Sequence, residues 1–158
     1  MVYDTRIANF RAEPTIARIG EMIRISGNAQ WYCPWWHPNC FPFGRWEPIE
    51  YETVELYVNG AKERETQTGE GGYFEFEINF GEQGNYIIQV HYPGSWVNNE
   101  CWSDKVVVSV LTPEEYEEYM RRQMIIYGLI VAGVVGVVAL VVDYYREQEI
   151  VTLVAASD

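Results

Sequence analysis

The chain has 158 residues, 48% of them hydrophobic and 15% aromatic, and a formal net charge of -12. That length holds one ordinary domain and an appendage, and so apolar a composition excludes an acidic disordered chain. Before Thr112, eight basic residues stand against fifteen acidic ones and leave -7, which repels phosphate backbones and excludes nucleic acid as a partner.

The amino-terminal MVYDTRIANF has no basic-then-apolar pattern, so no cleaved leader is expected. From there to Thr112 the chain reads as short strands between turn signals, with no amphipathic helical run. Strands are expected near residues 5–10, 15–19, 21–26, 53–58, 62–67, 73–79, 86–92 and 105–110. Asn59-Gly60 after VELYV predicts a two-residue hairpin. In YFEFEINF, Phe74, Phe76 and Ile78 share one face and Glu75 and Glu77 the other, the pattern of a strand covering one side of a core. Glu75 with Glu77, and Glu50 with Glu52, are read as solvent-facing acids on strands rather than as a catalytic pair.

Three of these segments, GEMIRISG at Gly20–Gly27, TGEGGYFEF at Thr68–Phe76 and GNYIIQV at Gly84–Val90, together resemble strands B, E and F of the immunoglobulin-like modules of bacterial and archaeal surface proteins. The resemblance covers roughly residues 5–111 and implies an all-β fold, an immunoglobulin-like Greek-key sandwich forming a head over residues 1–111. It specifies architecture and says little about activity. The sequence departs from it at residues 28–51, which read as a long aromatic insertion between strands B and C.

Within that insertion, Trp31 to Trp46 holds seven aromatics, three prolines, two cysteines and a histidine. The resemblance places this loop and the one over residues 93–104 at the same end of the sandwich, so all six tryptophans gather in one cap, away from the end at which the last strand leaves the head. Cys33, Cys40 and Cys101 are the disulfide candidates; a Cys33–Cys40 pair is preferred because closing a short loop needs little prior organisation. The alternative is a metal site built from Cys33, His37, Cys40 and Cys101, with His91 as a further donor. Cys-x3-His-x2-Cys matches no established zinc spacing, so no metal and no cofactor is expected. The tryptophans are read mainly as a small satellite core, with Trp35, Trp36, Phe41, Phe43, Trp46, Trp96 and Trp102 as candidates for contact with a partner.

After the head, Thr112-Pro113-Glu114-Glu115 predicts a helix start: a capping threonine, proline at the first helical position and glutamates in the first turn. A helical stalk over residues 112–122 is expected to run into QMIIYGLIVAGVVGVVALVV, residues 123–142, whose twenty uncharged residues match the length of a single transmembrane crossing. Tyr119, Tyr127, Tyr144 and Tyr145 sit where interfacial aromatics belong, and residues 143–158 form a short tail. Gly128, Ala132 and Gly136 recur every fourth residue, a stripe suited to packing against another helix, including that of a second copy.

With no glycine-rich phosphate loop, no Gly-x-Ser-x-Gly elbow and only His37 and His91, the chain is not expected to be an enzyme. It reads as a single-pass structural or interaction protein touching membrane lipid and another protein. Arg121 and Arg122 precede the span and only Arg146 follows it, which favours a head facing the cytoplasm, or a capsid, over one facing outward. Three settings fit: a virion protein linking an internal membrane to a capsid, a cell-surface or envelope adhesion or spacer protein, and an accessory subunit of a membrane enzyme complex.

Overall fold

The computed structural model describes residues 2–131 and 133. The chain divides into two compact units, Met1–Pro113 and Glu114–Asp158.

The first unit is an all-β sandwich. Its strands, among the described residues, are β1 (Thr5–Glu13), β2 (Ile16–Arg18), β3 (Ile23–Cys33), β4 (Arg45–Pro48), β5 (Thr53–Val58), β6 (Ala61–Gln67), β7 (Tyr73–Ile78), β8 (Gly84–Tyr92), β9 (Cys101–Trp102) and β10 (Val106–Leu111). In one sheet β3 is central: β1 pairs along one side of it, and the other side is shared by β7 along Ile23 to Asn28 and β4 along Gln30 to Cys33. The second sheet runs β2-β10-β8-β5-β6, with β9 added at the end of β8. Among the named strands of the described residues, β2 and β10 alone pair in parallel; the chain leaves the first sheet at Glu13-Pro14 and joins the second as β2. This order, with the first strand split between two sheets that face each other, is immunoglobulin-like.

The core follows the alternation expected of strands buried on one face. Ile23, Ile25, Phe74, Phe76 and Ile78 from the first sheet meet Val54, Leu56, Ile88, Val90, Tyr92, Val108 and Val110 from the second, all buried. The residues between them point outward, and Arg24 there lies 3.5 Å from Glu75 and 3.8 Å from Glu77, so this acidic pair is a solvated face balanced by a cation. The Asn59-Gly60 turn is present between β5 and β6, with φ of 51° and 84°, as a tight hairpin with two positive φ values requires. A short 3-10 turn, Glu70–Gly72, brings Gly72 under β3; a Cβ there would lie 2.2 Å from the Ala29 carbonyl oxygen, which only glycine avoids.

Two expectations need correction. The insertion is not one loop over residues 28–51: β3 continues to Cys33, the chain returns as β4, and the loop proper is confined to residues 34–44. The run NAQWYC hid this extension because it carries no clean apolar–polar alternation, and its strand conformation is set by the partners β1 and β4 opposite it. Glu50 and Glu52 also lie outside any strand: Glu50 accepts from the Gly71 N–H at 2.8 Å, and Glu52 accepts from the Tyr92 hydroxyl.

A helix begins at Pro113, the last residue of the first unit and the place where the capping pattern put it, and runs over residues 113–131 with an Arg122–Glu118 ion pair at 2.5 Å. Its first ten positions carry six charges, and no helix among the described residues is long and apolar enough to cross a membrane. Of the expected 123–142 span, residues 123–131 and 133 are described and helical; Ala132, Gly136 and the remainder, with the tail over residues 143–158, lie outside the described residues. Around Gly128 there is open space where a Cβ would stand.

Candidate functional site

At the end of the head where β3 reaches Cys33 and β8 reaches Tyr92, the two aromatic loops stand on either side of the amino-terminal segment. Tyr3 N–H donates to the Val97 carbonyl at 2.8 Å and Asn99 N–H donates to the Tyr3 carbonyl at 2.9 Å. The Thr5 hydroxyl donates to the Asn99 carbonyl on the same side at 2.8 Å, and on the opposite side Tyr32 N–H donates to the Asp4 carbonyl at 2.8 Å. The loops are thus laced through residues 3–5, and among the described residues no ring pair joins one loop directly to the other. Contacts spanning more than ninety residues leave no local pattern, which is why the sequence did not point to Tyr3 and Asp4.

The rings form three clusters. Trp31 packs on Tyr3 at 4.9 Å between ring centroids, with His37 at 5.9 Å from Trp31 and Trp36 at 6.5 Å from Tyr3. Tyr32, on the other face of β3, meets Trp46 at 5.4 Å, and the Arg6 guanidinium lies 4.1 Å over the Trp46 ring. On the second sheet Trp102 stacks on His91 at 4.2 Å and meets Tyr57 at 4.8 Å. Trp46 is therefore half-buried packing, and Trp102 is a lid on His91. Left projecting into solvent are Trp96 (91% exposed), Phe43 (79%), Phe41 (71%) and Trp35 (60%), with Trp36 partly exposed.

Cys33 and Cys40 form a disulfide, both sulfurs buried, so the local pairing holds. Hydrogen bonds from Cys40 N–H and Phe41 N–H to the His37 carbonyl, at 2.9 and 3.1 Å, close the loop into a tight turn. His37 lies against the disulfide: one imidazole nitrogen and both sulfurs lie within 4.8 Å of one another. The larger donor set does not assemble. Cys101 is a free, half-buried thiol on β9, paired with Tyr92, and burial pushes its pKa up. His91 sits on the second sheet, 3.0 Å from Glu55 and 3.2 Å from Glu100.

Around His91 the charges are arranged to support structure. Hydrogen bonds from Lys62 and then from His91 hold the Glu55 carboxyl below the usual carboxylate range, and Glu55 in turn raises Lys62. Tyr92, whose hydroxyl reaches Glu52 at the edge of the core, is pushed up to about 12 by burial and by that carboxylate.

No family model and no curated protein matches the chain. Solved structures with a similar fold include the D0-D1 domain of intimin, at 13% identity and a TM-score of 0.45, covering 66% of this chain and 48% of that one. The D00-D0 domain of intimin gives 12%, 0.44, 68% and 47%, so the chain spans about half the length of either intimin fragment. A CARDB domain from Pyrococcus furiosus, solved in complex with di-metal ions, gives 12% identity and a TM-score of 0.40 over 70% of this chain and 92% of that one.

Proposed function

We propose that the chain is a membrane-anchored interaction protein whose immunoglobulin-like head engages another protein through Trp35, Trp36, Phe41, Phe43 and Trp96. The observation that carries this reading is the exposure of Trp96, Phe43, Phe41 and Trp35, each 60% or more, on the two loops at one end of the head. Leaving such rings in water costs hydrophobic free energy, and desolvated aromatics are the residues that dominate binding where a partner covers them. The sandwich serves as the rigid mount: the disulfide, the residue 3–5 lacing and the β3–β4 pairing fix the loops before a partner arrives, which lowers the ordering cost of binding.

Anchoring rests on the twenty uncharged residues at 123–142, preceded by a helix that starts at Pro113. β10 leaves the head at Leu111, beside Gly84 and at the opposite end of the sheet from the Tyr92–Cys101 pair. A capsid, an envelope and a membrane-enzyme subunit are the partner classes this arrangement would serve.

The test is purification of the full chain from its native membrane in mild detergent, beside a variant carrying Phe41→Ala, Phe43→Ala and Trp96→Ala. A partner protein that accompanies the native chain and is lost from the variant, with equal thermal melting of the two, supports the proposal. Retention of the same partner by the variant contradicts it. Extraction of the chain by alkaline carbonate without detergent would contradict the anchor.

A further inference from the structure

We propose that Cys33, His37 and Cys40, once the disulfide is reduced, form a binding site for a thiophilic divalent cation such as Zn2+, so that bridge and metal are alternative staples of the same loop. The inference stands on the donor geometry alone and is independent of the partner reading above.

The three donor atoms already lie within 4.8 Å of one another. A tetrahedral zinc with sulfur at about 2.3 Å and nitrogen at about 2.0 Å needs its ligands roughly 3.3–3.8 Å apart. The sulfurs would have to separate and the imidazole to close by about an ångström from the upper limit of that spacing. The elements involved permit this. Cys33 is the last residue of β3, held in register opposite Arg45 of β4, so one donor is fixed. His37 and Cys40 ride together on the turn closed by the Cys40 N–H bond to the His37 carbonyl, so they move as a unit. The imidazole is kept in place edge-on to Trp31, at 5.9 Å, and to Tyr3, at 6.3 Å.

Electrostatics favour a cation once the bridge opens. Glu47 Oε1 lies 3.8 Å from Cys40 Sγ, and a sulfur in a disulfide has no proton to donate, so in the oxidised chain this is a contact only. After reduction two thiols stand beside that carboxylate, with the Arg45 guanidinium, already engaged by Glu47, as the neighbouring cation. A dication that takes both thiolates relieves the crowding of negative charge. An open concavity lined by Trp31, Asn39, Cys40, Arg45 and Glu47 gives solvent access to the Cys40 side. Three protein donors leave a fourth position to water.

The chemistry balances. A dithiol reductant passes two electrons and two protons to the Cys33–Cys40 bond, yielding two thiols, and is itself oxidised to a disulfide. Binding of Zn2+ forms two S–Zn bonds and one N–Zn bond and releases the two thiol protons. The oxidised chain cannot bind in this way, because each sulfur is already bonded to the other.

The test uses the full chain in detergent, oxidised or reduced with a phosphine that is then removed, and titrated anaerobically with Co2+ and with Zn2+ against a chromophoric chelator. The reduced chain is expected to take up one Co2+ with a thiolate-to-cobalt charge-transfer band and tetrahedral visible bands, and one Zn2+ that displaces it; the oxidised chain shows neither. His37→Ala is expected to weaken binding by about tenfold or more, while Cys101→Ser leaves it unchanged. Far-ultraviolet circular dichroism is recorded on every sample, so that retention of the β spectrum separates a local site from an unfolded chain. No uptake by the reduced chain, equal affinity in the His37→Ala variant, or loss of binding in the Cys101→Ser variant would each overturn the proposal.

Discussion

Between the sheets, Ile25, Leu56, Ile88 and Val90 have no contact with solvent; at the loop end, Phe41, Phe43 and Trp96 have little else. The first region is held by apolar burial distributed over both sheets. The second is held by a few specific links: one disulfide, the hydrogen bonds through residues 3–5 and three ring clusters. Distributed burial tolerates no local loss without a global cost, whereas a laced loop can loosen by itself. Ring content alone therefore does not make a core. Rings pack where strands aim them inward, as at Phe74 and Phe76, and remain available where a turn carries them out, as at Phe41 and Phe43.

The largest contrast is expected from truncation. Leu56→Ala should cost about 2–5 kcal/mol, read from the denaturant midpoint of the whole head, because its neighbours cannot collapse into the cavity. Trp96→Ala, though it removes a larger side chain, should change stability by less than about 0.5 kcal/mol. Equal costs would erase the distinction between the two regions. Next comes the staple: Cys33→Ser with Cys40→Ser should cost about 2.5 kcal/mol by loop-closure entropy. Hydrogen exchange should speed up at residues 31–47 and stay slow in β5 and β8, and acceleration in all of these strands together would show that the cap is part of the core.

A smaller effect lies where the regions meet. The Tyr92 hydroxyl is raised from 10.0 to about 12 in the folded chain, so the stability it contributes is fully present below pH 10 and is lost as pH rises through about 12. Tyr92→Phe should lower stability at neutral pH by about 1–2 kcal/mol, since Glu52 loses its donor, and should flatten the alkaline limb of the stability profile. An unchanged alkaline limb would remove that pair from the account. The smallest effect is at Glu55, whose carboxyl is lowered chiefly by Lys62 and then by His91. Its contribution is present above the ordinary carboxylate pKa and lost as pH falls through the lower folded value, so Glu55→Gln should reduce acid sensitivity by less than about 1 kcal/mol. A variant with the native acid profile would place the effect elsewhere.

The sandwich was legible where side-chain alternation and turn chemistry coincide: YFEFEI, VELYV with Asn59-Gly60, and YIIQV each appear as strands in the second half of the head with nearly the expected bounds. It was illegible where pairing is decided from a distance. The extension of β3 through Trp31 and Cys33, the four residues of β4 and the two of β9 exist because partners lie opposite them, and none carries its own period. The site follows the same rule. The Cys33–Cys40 bridge could be argued from their separation in the chain, and the convergence of the two loops from strand order. That Tyr3 and Asp4 run between those loops, that Glu52 meets Tyr92, and that Trp102 covers His91 depend on long-range geometry alone.

The claim that the exposed rings are a protein-contact surface is tested most directly by photo-crosslinking in the native membrane, with Trp96 replaced by a photoreactive phenylalanine analogue and a control carrying the same group at the exposed Glu63 of β6. A discrete protein adduct from position 96, absent from position 63 and lost when Phe41→Ala and Phe43→Ala are added, is the predicted result. Adducts at both positions alike, or adducts only to lipid from position 96, would contradict it.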